Sequence, residues 1–516
     1  MNFTQLHSRF SKKGFMVVHA LVFAGIAAVI VSALVLWAGT NIKASRSSVL
    51  KEKAIEIAEA GIDYYRWHLA HASTDFTDGT GTAGPYSHDF FDKDGAKIGT
   101  YTLEITPPIP GSTLVTIKST GRVAESTTIK RSIKTTLAIP SMAKFAFVSN
   151  NDMRFGVGTE VFGPIHSNGG IRFDGLAHNI VSSARASYDD PDHDDSGSEK
   201  LEFGVHTHVN APPGSGTTDT YRPLEVPPAA MQVRTDVFES GRQVSVPSVD
   251  FVGLTNDLAQ IKAAAQTSSG KYFAASGALG YKVVFNAQSA TDTYSVYKVN
   301  TLRAAPSGCV NPTPAQPGWA TWSIGTGGGA LTAVTGSPFT IPANGLIFFE
   351  DNVWVEGSIS NTRVTVASGK FPDNASTRTN ITVNNDLMYS THDGHDVISL
   401  IAQNNINVGL YSADALDIEA ALMAQNGRVG RYYYNTSCGA DFHKSQITLY
   451  GMIATNQRYG FSWTGNDYDC GGSIGNIGSG YCTRNITYDA NLLYGPPPSF
   501  PLTSDQYSTI SWEEVQ

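Results

Sequence analysis

Residues 15 to 39, "FMVVHALVFAGIAAVIVSALVLWAG", run for 25 positions with one histidine and no other ionisable side chain. A bilayer core needs about 20 apolar residues, and a helix satisfies its own backbone polar groups in lipid. The stretch is apolar on every face, whereas a helix on the surface of a soluble domain carries a single apolar stripe. It exceeds the apolar region of a secretory signal, roughly 7 to 15 residues, and ends at Trp37, an interface-type residue. The sequence therefore predicts a membrane-spanning helix. Lys12 and Lys13 before it favour an inside N-terminus, but Lys43, Arg46, Lys51 and Lys53 follow it, so charge counting alone leaves orientation open.

The helix is expected to continue past the membrane. "NIKASRSSVLKEKAIEIAEAGIDYYRWHLAHA" has no proline and one glycine. Val49, Ala54, Ile57, Ala60/Gly61, Tyr64/Tyr65 and Leu69 recur at three- and four-residue steps, which gives one apolar face. A helix from 15 to 71 would be about 85 Å long, spanning a bilayer with its first half and packing on a folded body with its second.

Lys12-Lys13-Gly14-Phe15-Met16 resembles the processing site of type IV prepilins and pseudopilins. "KEKAIEIAEAGIDYYRWHLA", residues 51 to 70, is similar to the helix of minor pilin-like proteins of the PilX/pseudopilin type, with Glu59-Ala60-Gly61 its most recognisable part. The resemblance covers roughly residues 9 to 140. It implies a leader over 1–14, cleavage between Gly14 and Phe15 by a prepilin peptidase, and methylation of Phe15. It also implies assembly through the helix, with His19, Ala24, Gly25, Ala28, Ser32 and Glu59 as the residues concerned. His19 stands where major pilins carry a glutamate that pairs with a neighbour's amino terminus. That departure argues against the main filament subunit and leaves room for a minor, tip-located or priming component, or a membrane-anchored relative that does not polymerise.

Beyond residue 72 the chemistry changes. Charged residues are 16% of the chain against roughly 25% in ordinary soluble domains, and there are 50 glycines, a composition suited to turn-rich β-structure. "TYTLEITPP", "STLVTIKSTGRV" and "STTIKRSIKTTLAI" alternate apolar and polar residues, the period of half-buried strands. Leu103/Ile105, Leu114 with Ile117, and Ile129/Ile133 are expected to face the helix. This gives a 15–72 helix and a small 73–140 β domain, with Pro140 as boundary. Next comes a 141–345 β-rich region with loop insertions, in which Leu254, Leu258 and Ile261 mark a short helix. In 346–495, Asn384, Asn404, Asn426 and Asn456 recur at intervals of 20, 22 and 30, near the length of one coil of a β-solenoid. Ile398/Leu400, Ile406/Val408, Leu422 and Ile447/Leu449 would stack inside, with asparagines laddered at a corner. The proline-rich 496–516 stretch reads as a C-terminal cap. The fold class is mainly β: a long helix, a small antiparallel sheet and a large β-solenoid-like, parallel β-helix body. The alternative is a β-sandwich body, which would show antiparallel hairpins instead of parallel pairing between coils.

Four cysteines permit one or two disulfides, and Cys470 with Cys482, enclosing a Gly/Asn/Ser stretch, is the candidate pair. "DDPDHDD" makes Asp189, Asp190, Asp192, Asp194 and Asp195 candidate calcium ligands on oxygen density alone, without EF-hand spacing. His166, His206 and His208 raise a transition-metal question. His206 and His208 would project from one side of a strand, but no completing ligand is identifiable, and exposed or corner histidines are the plainer reading.

No catalytic residue emerges and no cofactor is called for. Ser167 beside His166 lacks triad geometry, and "GTGGG" at 325–329 lacks the Lys-Ser/Thr ending of a phosphate loop. The formal charge is −9, with seven Lys/Arg against three Glu in residues 1–60, so the remainder carries −13 and offers no cationic face for nucleic acid. The sequence thus points to a non-enzymatic, single-pass protein of the cytoplasmic membrane, N-terminus inside and body outside. Pilin-like subunits, pilus assembly machinery and prepilin peptidase are its expected partners. The alternative is a surface adhesin or glycan binder, with Trp319, Trp354, Tyr432 to Tyr434 and Trp463 as sugar-stacking candidates.

Overall fold

A computed structural model describes residues 13–515 except 109–112, 140, 193–200, 218–224, 228, 252, 289–290, 317–318, 320–322, 473, 494 and 503–505. The chain divides into two compact units. The first takes in the chain up to Pro107, Val115–Leu137 and the stretch from Thr509. The second comprises Pro108–Leu114 and Ala138–Ser508.

In the first unit, helix α1 (Lys13–His71) lies against an antiparallel sheet of β1 (Tyr86–Phe91), β2 (Lys97–Thr106), β3 (Val115–Val123) and β4 (Ser126–Ala138), in that order. The buried face of the helix is Leu50, Ala54, Ile57, Ala58, Ile62, Tyr65 and Leu69. Leu50 takes the place expected for Val49, which is 47% exposed. On the sheet side Tyr101, Leu103, Val115, Ile117 and Ile133 are buried, while Ile105 and Ile129 are only half-buried. Close approach is set by two glycines. A Cβ on Gly121 would stand 2.1 Å from the Ala54 carbonyl oxygen, and one on Gly61 2.4 Å from Ser119 Oγ. The glycine of the Glu59-Ala60-Gly61 segment is thus where helix and sheet meet.

The last strand of this sheet comes from the other end of the chain. Ser508–Val515 pairs beside β4. Thr135 Oγ1 donates to the Ser511 carbonyl at 2.6 Å, and Arg131 and Lys134 pair with Glu514 and Glu513 at 2.8 and 3.1 Å. The stretch expected as a cap therefore ends as an edge strand.

The second unit is built from parallel ladders between successive coils. One runs 271–273, 346–349, 363–368, 397–402, 421–424, 452–455, 147–149, 165–167 and 181–183. A second joins 281–285, 353–357, 381–382, 406–408 and 429–431. A third runs from 357–359 through 387–389, 418, 447–449, 484–487 and 159–162 to 176–177. These ladders are parallel, whereas Tyr281–Asn286 with Thr293–Val299 and Ser462–Asp469 with Asn476–Tyr488 are antiparallel. Ile398, Leu400, Ile406, Val408, Leu422, Ile447 and Leu449 all lie in the main core.

Two strands of the first ladder, Leu346–Phe349 and Val397–Ala402, are buried on both faces and read as near-continuous apolar runs, "LIFF" and "VISLIA". Their outer face is covered by Leu258, Ile261 and Ala265 of α2 (Gly253–Ala265) and by Leu492 and Phe500. The Leu254 side chain and Pro140 lie outside the described residues. Pro498 accepts from Thr365 Oγ1 at 2.6 Å, so the proline-rich stretch runs along the side of the stack, not over an end.

Stacking does not follow chain order. Coil 443–455 is followed in space by 147–149. Asparagines mark that junction: Asn150 Nδ2 donates to Asn456 Oδ1, 306 positions away, and Asn168 Nδ2 donates to Asn150 Oδ1, each at 2.8 Å. A second ladder links Asn404 to Asn380 at 3.1 Å and Asn380 to Asn352 at 3.3 Å. Asn384 belongs to neither; its Oδ1 accepts from Gly409 N.

Cys470–Cys482 and Cys309–Cys438 are both disulfide-bonded, with sequence separations of 12 and 129. Loop-closure entropy scales with the logarithm of those lengths. Replacing Cys309 and Cys438 by alanine should cost about 5 kcal/mol and replacing Cys470 and Cys482 about 3 kcal/mol, read from denaturant unfolding of the detergent-solubilised protein.

Candidate functional site

The apolar half of α1 has no protein partner among the described residues. From Phe15 to Trp37 every large apolar side chain is at least half exposed, and α1 is one helix long and apolar enough to cross a membrane. His19 Nδ1 lies 2.8 Å from the Phe15 carbonyl oxygen, and Ser32 Oγ donates to the Ala28 carbonyl at 2.8 Å, so both polar side chains are engaged within the helix. Ala24, Ala28 and Ser32 fall on one i, i+4 ridge beside Gly25, and all are exposed, as is Glu59. Gly14 is in the first turn; Lys12 lies outside the described residues.

In the second unit the histidines flagged in the sequence separate. His166 sits between coils, with Nδ1 3.1 Å from Ser182 Oγ and Nε2 3.2 Å from Asn168 Oδ1. His206 and His208 lie elsewhere, together with Asp190 and Glu202. Among the described residues these four form one group whose donor atoms stand within 4.8 Å of one another. Val205–His206 pairs in parallel with Ile171–Phe173, and Glu202–Phe203 pairs antiparallel with Ser187–Tyr188. Gly204, between them, has Arg185 O where a Cβ would go, at 2.0 Å. Only glycine lets this strand seat so deeply.

Exposure is 3% for Asp190 and 0% for Glu202, His206 and His208. His206 Nε2 is 3.5 Å from Asp190 Oδ2 and 3.4 Å from Glu202 Oε2, and His208 Nε2 is 3.2 Å from Glu202 Oε1. Around them, Asp174 accepts from Arg172 Nε at 2.7 Å and from the His208 amide at 2.7 Å, which fixes the His-Thr-His backbone. Arg172 Nη1 is 3.6 Å from Asp190 Oδ2. Burial pushes the Asp190 carboxyl up, but the His206 ring, the Asp192 amide and Arg172 outweigh it and hold it below the ordinary carboxylate range. Tyr188, 5.4 Å from the His206 ring, is pushed well above the usual phenol value by burial and then by Asp190 and Glu202.

The five aspartates do not converge among the described residues. Asp190 is in this buried group. Asp192 instead pairs with Arg458 and, at 3.7 Å, with Arg154. Asp194 and Asp195 lie outside the described residues, and Asp189 has no part in the group of four. Sequence reasoning found the His206/His208 pair but missed Glu202, although a signal was there. Positions 202, 206 and 208 share parity, so on an extended chain all three project to one face.

A cleft of about 650 Å³ is lined by Tyr459, Trp463, Arg154, Arg428, Arg458 and Arg484, among others. Its arginines are already engaged. Arg484 donates to the carbonyls of Tyr481 and Val157 at 2.9 and 2.7 Å, Arg428 to that of Arg431 at 3.0 Å, and the other two face Asp192. Of the aromatics expected to stack on sugars, Trp319, Trp354, Tyr432 and Tyr434 are buried in packing. Tyr433 and Trp463 remain half-exposed.

No protein-family model and no curated protein matches the chain. Among solved structures it is similar to the competence-associated pilin ComZ from Thermus thermophilus, a crystal structure, over 90% of this chain and 97% of that one. The identity is 12% and the TM-score 0.32, a level that carries no argument about fold or function.

One histidine joins neighbouring coils by charge. His178 lies 2.7 Å from Glu160 and 2.7 Å from Glu239, with its ring stacked on Phe162. Burial alone would lower its pKa, but the two carboxylates outweigh burial and raise it. A folded-state value above the unfolded one stabilises fully below about pH 6.5, and the gain disappears as pH rises through the folded value. The melting-temperature gap between the native protein and His178→Gln should therefore be larger at about pH 5.5 than at about pH 8.5.

Proposed function

We propose that the chain is a minor, pilin-like structural component of a type IV pilus or related secretion machine, anchored in the cytoplasmic membrane by α1 and carrying its β body outside. The observation that carries this reading is the division of α1: the helix is continuous from Lys13 to His71, apolar and uncovered in its first half, and seated on an antiparallel sheet in its second. Lys12-Lys13-Gly14-Phe15-Met16 adds the prepilin-type junction, with cleavage after Gly14 and methylation of Phe15 on the cytoplasmic side.

Ala24, Gly25, Ala28 and Ser32 would let the helices of other pilin-like subunits approach closely within the membrane. His19 in place of an acidic residue suits a priming or tip position, where no amino terminus of a preceding subunit needs pairing. Prepilin peptidase, pilin-like subunits and the assembly platform are the partners.

N-terminal sequencing from native membranes tests the reading. The native protein should begin at Phe15, and Gly14→Asp should remain uncut with its leader attached. An identical N-terminus in the two proteins would overturn the processing step, and recovery of the native protein without detergent, α1 intact, would overturn the anchor.

A further inference from the structure

We propose that Asp190, Glu202, His206 and His208 hold one divalent transition-metal ion of the zinc class in a closed, structural, four-coordinate site. Ligand atoms at 2.0–2.1 Å from a tetrahedral centre stand about 3.3 Å apart. The His206 contacts, 3.5 and 3.4 Å, match that spacing and are long for hydrogen bonds, while His208 Nε2 hydrogen-bonds Glu202 Oε1 at 3.2 Å. One donor atom from each of the four residues lies within 4.8 Å of the others, close enough for a common ion to draw them in.

A second observation is independent of spacing. Asp190 Oδ2, Glu202 Oε2 and both ring nitrogens of His206 are buried with no hydrogen-bond partner. Leaving one buried polar group unmet costs about 1–3 kcal/mol, and more for a charged one. Three of them, Asp190 Oδ2, Glu202 Oε2 and His206 Nε2, face one another, a costly arrangement to keep without an occupant, and a cation can satisfy all three at once.

Charge gives a third. Asp174, Asp190 and Glu202 are buried carboxylates, and Arg172 is a buried guanidinium in contact with the first two. With neutral imidazoles the group carries two negative charges in excess, which a divalent ion cancels.

The donor set selects the ion. Two imidazole nitrogens and two carboxylate oxygens suit zinc and its neighbours. Calcium takes six to eight oxygens and has no use for imidazole. All four positions are filled by protein and closed to solvent, so the ion's work is mechanical: it fastens the 187–208 excursion onto the coil that contains Ile171–Phe173. Of the described aspartates 189, 190 and 192, Asp190 alone joins the group, and its companions are imidazoles and a glutamate, not further aspartates.

The test uses the full-length protein in detergent, stripped with chelator and titrated with Co²⁺ and then Zn²⁺. The expected result is one equivalent of Co²⁺ with the intense visible absorption of tetrahedral cobalt, its displacement by one Zn²⁺, and a higher melting temperature when loaded. Glu202→Gln and His206→Ala should each weaken Zn²⁺ binding about 100-fold or more. Stripped protein with a native circular-dichroism spectrum that binds neither ion would overturn the proposal. So would an octahedral cobalt spectrum, Ca²⁺ that Zn²⁺ fails to displace, or unchanged affinity in folded His206→Ala. Should His206→Ala fail to fold, the cobalt spectrum and stoichiometry of the native protein decide alone.

Discussion

Fifteen large apolar side chains between Phe15 and Trp37 face outward from α1 with nothing of the same chain upon them. Burying one such side chain is worth about 1.5–3 kcal/mol, so the uncovered surface amounts to tens of kcal/mol, beyond the roughly 5–15 kcal/mol by which a domain is stable. Such a surface has to be covered, by lipid, by other helices or by both. The rest of the helix answers the same need internally: Leu50 to Leu69 present one stripe, and the sheet takes it. Two environments along one unbroken helix explain why its apolar pattern switches from all-round to periodic near residue 40.

Inside the β body the governing constraint is register. Parallel coils must align identical kinds of side chain, which is why Val, Ile and Leu recur at stacked positions and asparagines ladder at the turns. The order of stacking is less obvious. Because 147–149 follows 452–455 in space, the coils nearest the N-terminus complete the stack after those nearest the C-terminus. Closing a loop of some 300 residues costs only modestly more than closing a short one, since the entropy grows with the logarithm of length. The arrangement is thermodynamically cheap while making the native contacts highly non-local.

What was legible in the sequence was period, and what was hidden was partner. The alternation in 101–137 and the recurrent Asn corners located strands and coils. They did not tell Leu50 from Val49, or Asn380 from Asn384 as the neighbour of Asn404, because one-residue choices depend on the surface opposite. Trp319, Tyr432 and Tyr434 looked available for ligands because aromatic residues in polar, glycine-rich segments resemble exposed ones. They are instead gathered round Cys309–Cys438, with Trp319 Nε1 donating to the Tyr433 carbonyl at 3.0 Å. The buried group was half-legible for the same reason. Strand parity paired His206 with His208, but Asp190 reaches them only through the Tyr188–Glu202 pairing, which no local pattern announces.

The excursions from the coils share a logic. A ladder holds only the residues in it, so every long departure needs its own fastening. The 250–265 segment is held by apolar packing of Leu258 and Ile261. The region around residue 309 is tied to the 429–442 stretch by Cys309–Cys438, and the 462–482 hairpin is closed by Cys470–Cys482. The later part of the 187–245 excursion is pinned by Arg242 on Glu225. Its earlier part contains no cysteine and little apolar surface, and it is where two carboxylates and two imidazoles converge out of solvent. Buried ionisable groups are poor adhesives by themselves, since desolvation consumes most of what their attraction returns. A cation shared by the four residues would turn that cluster into a fastening comparable to the disulfides elsewhere.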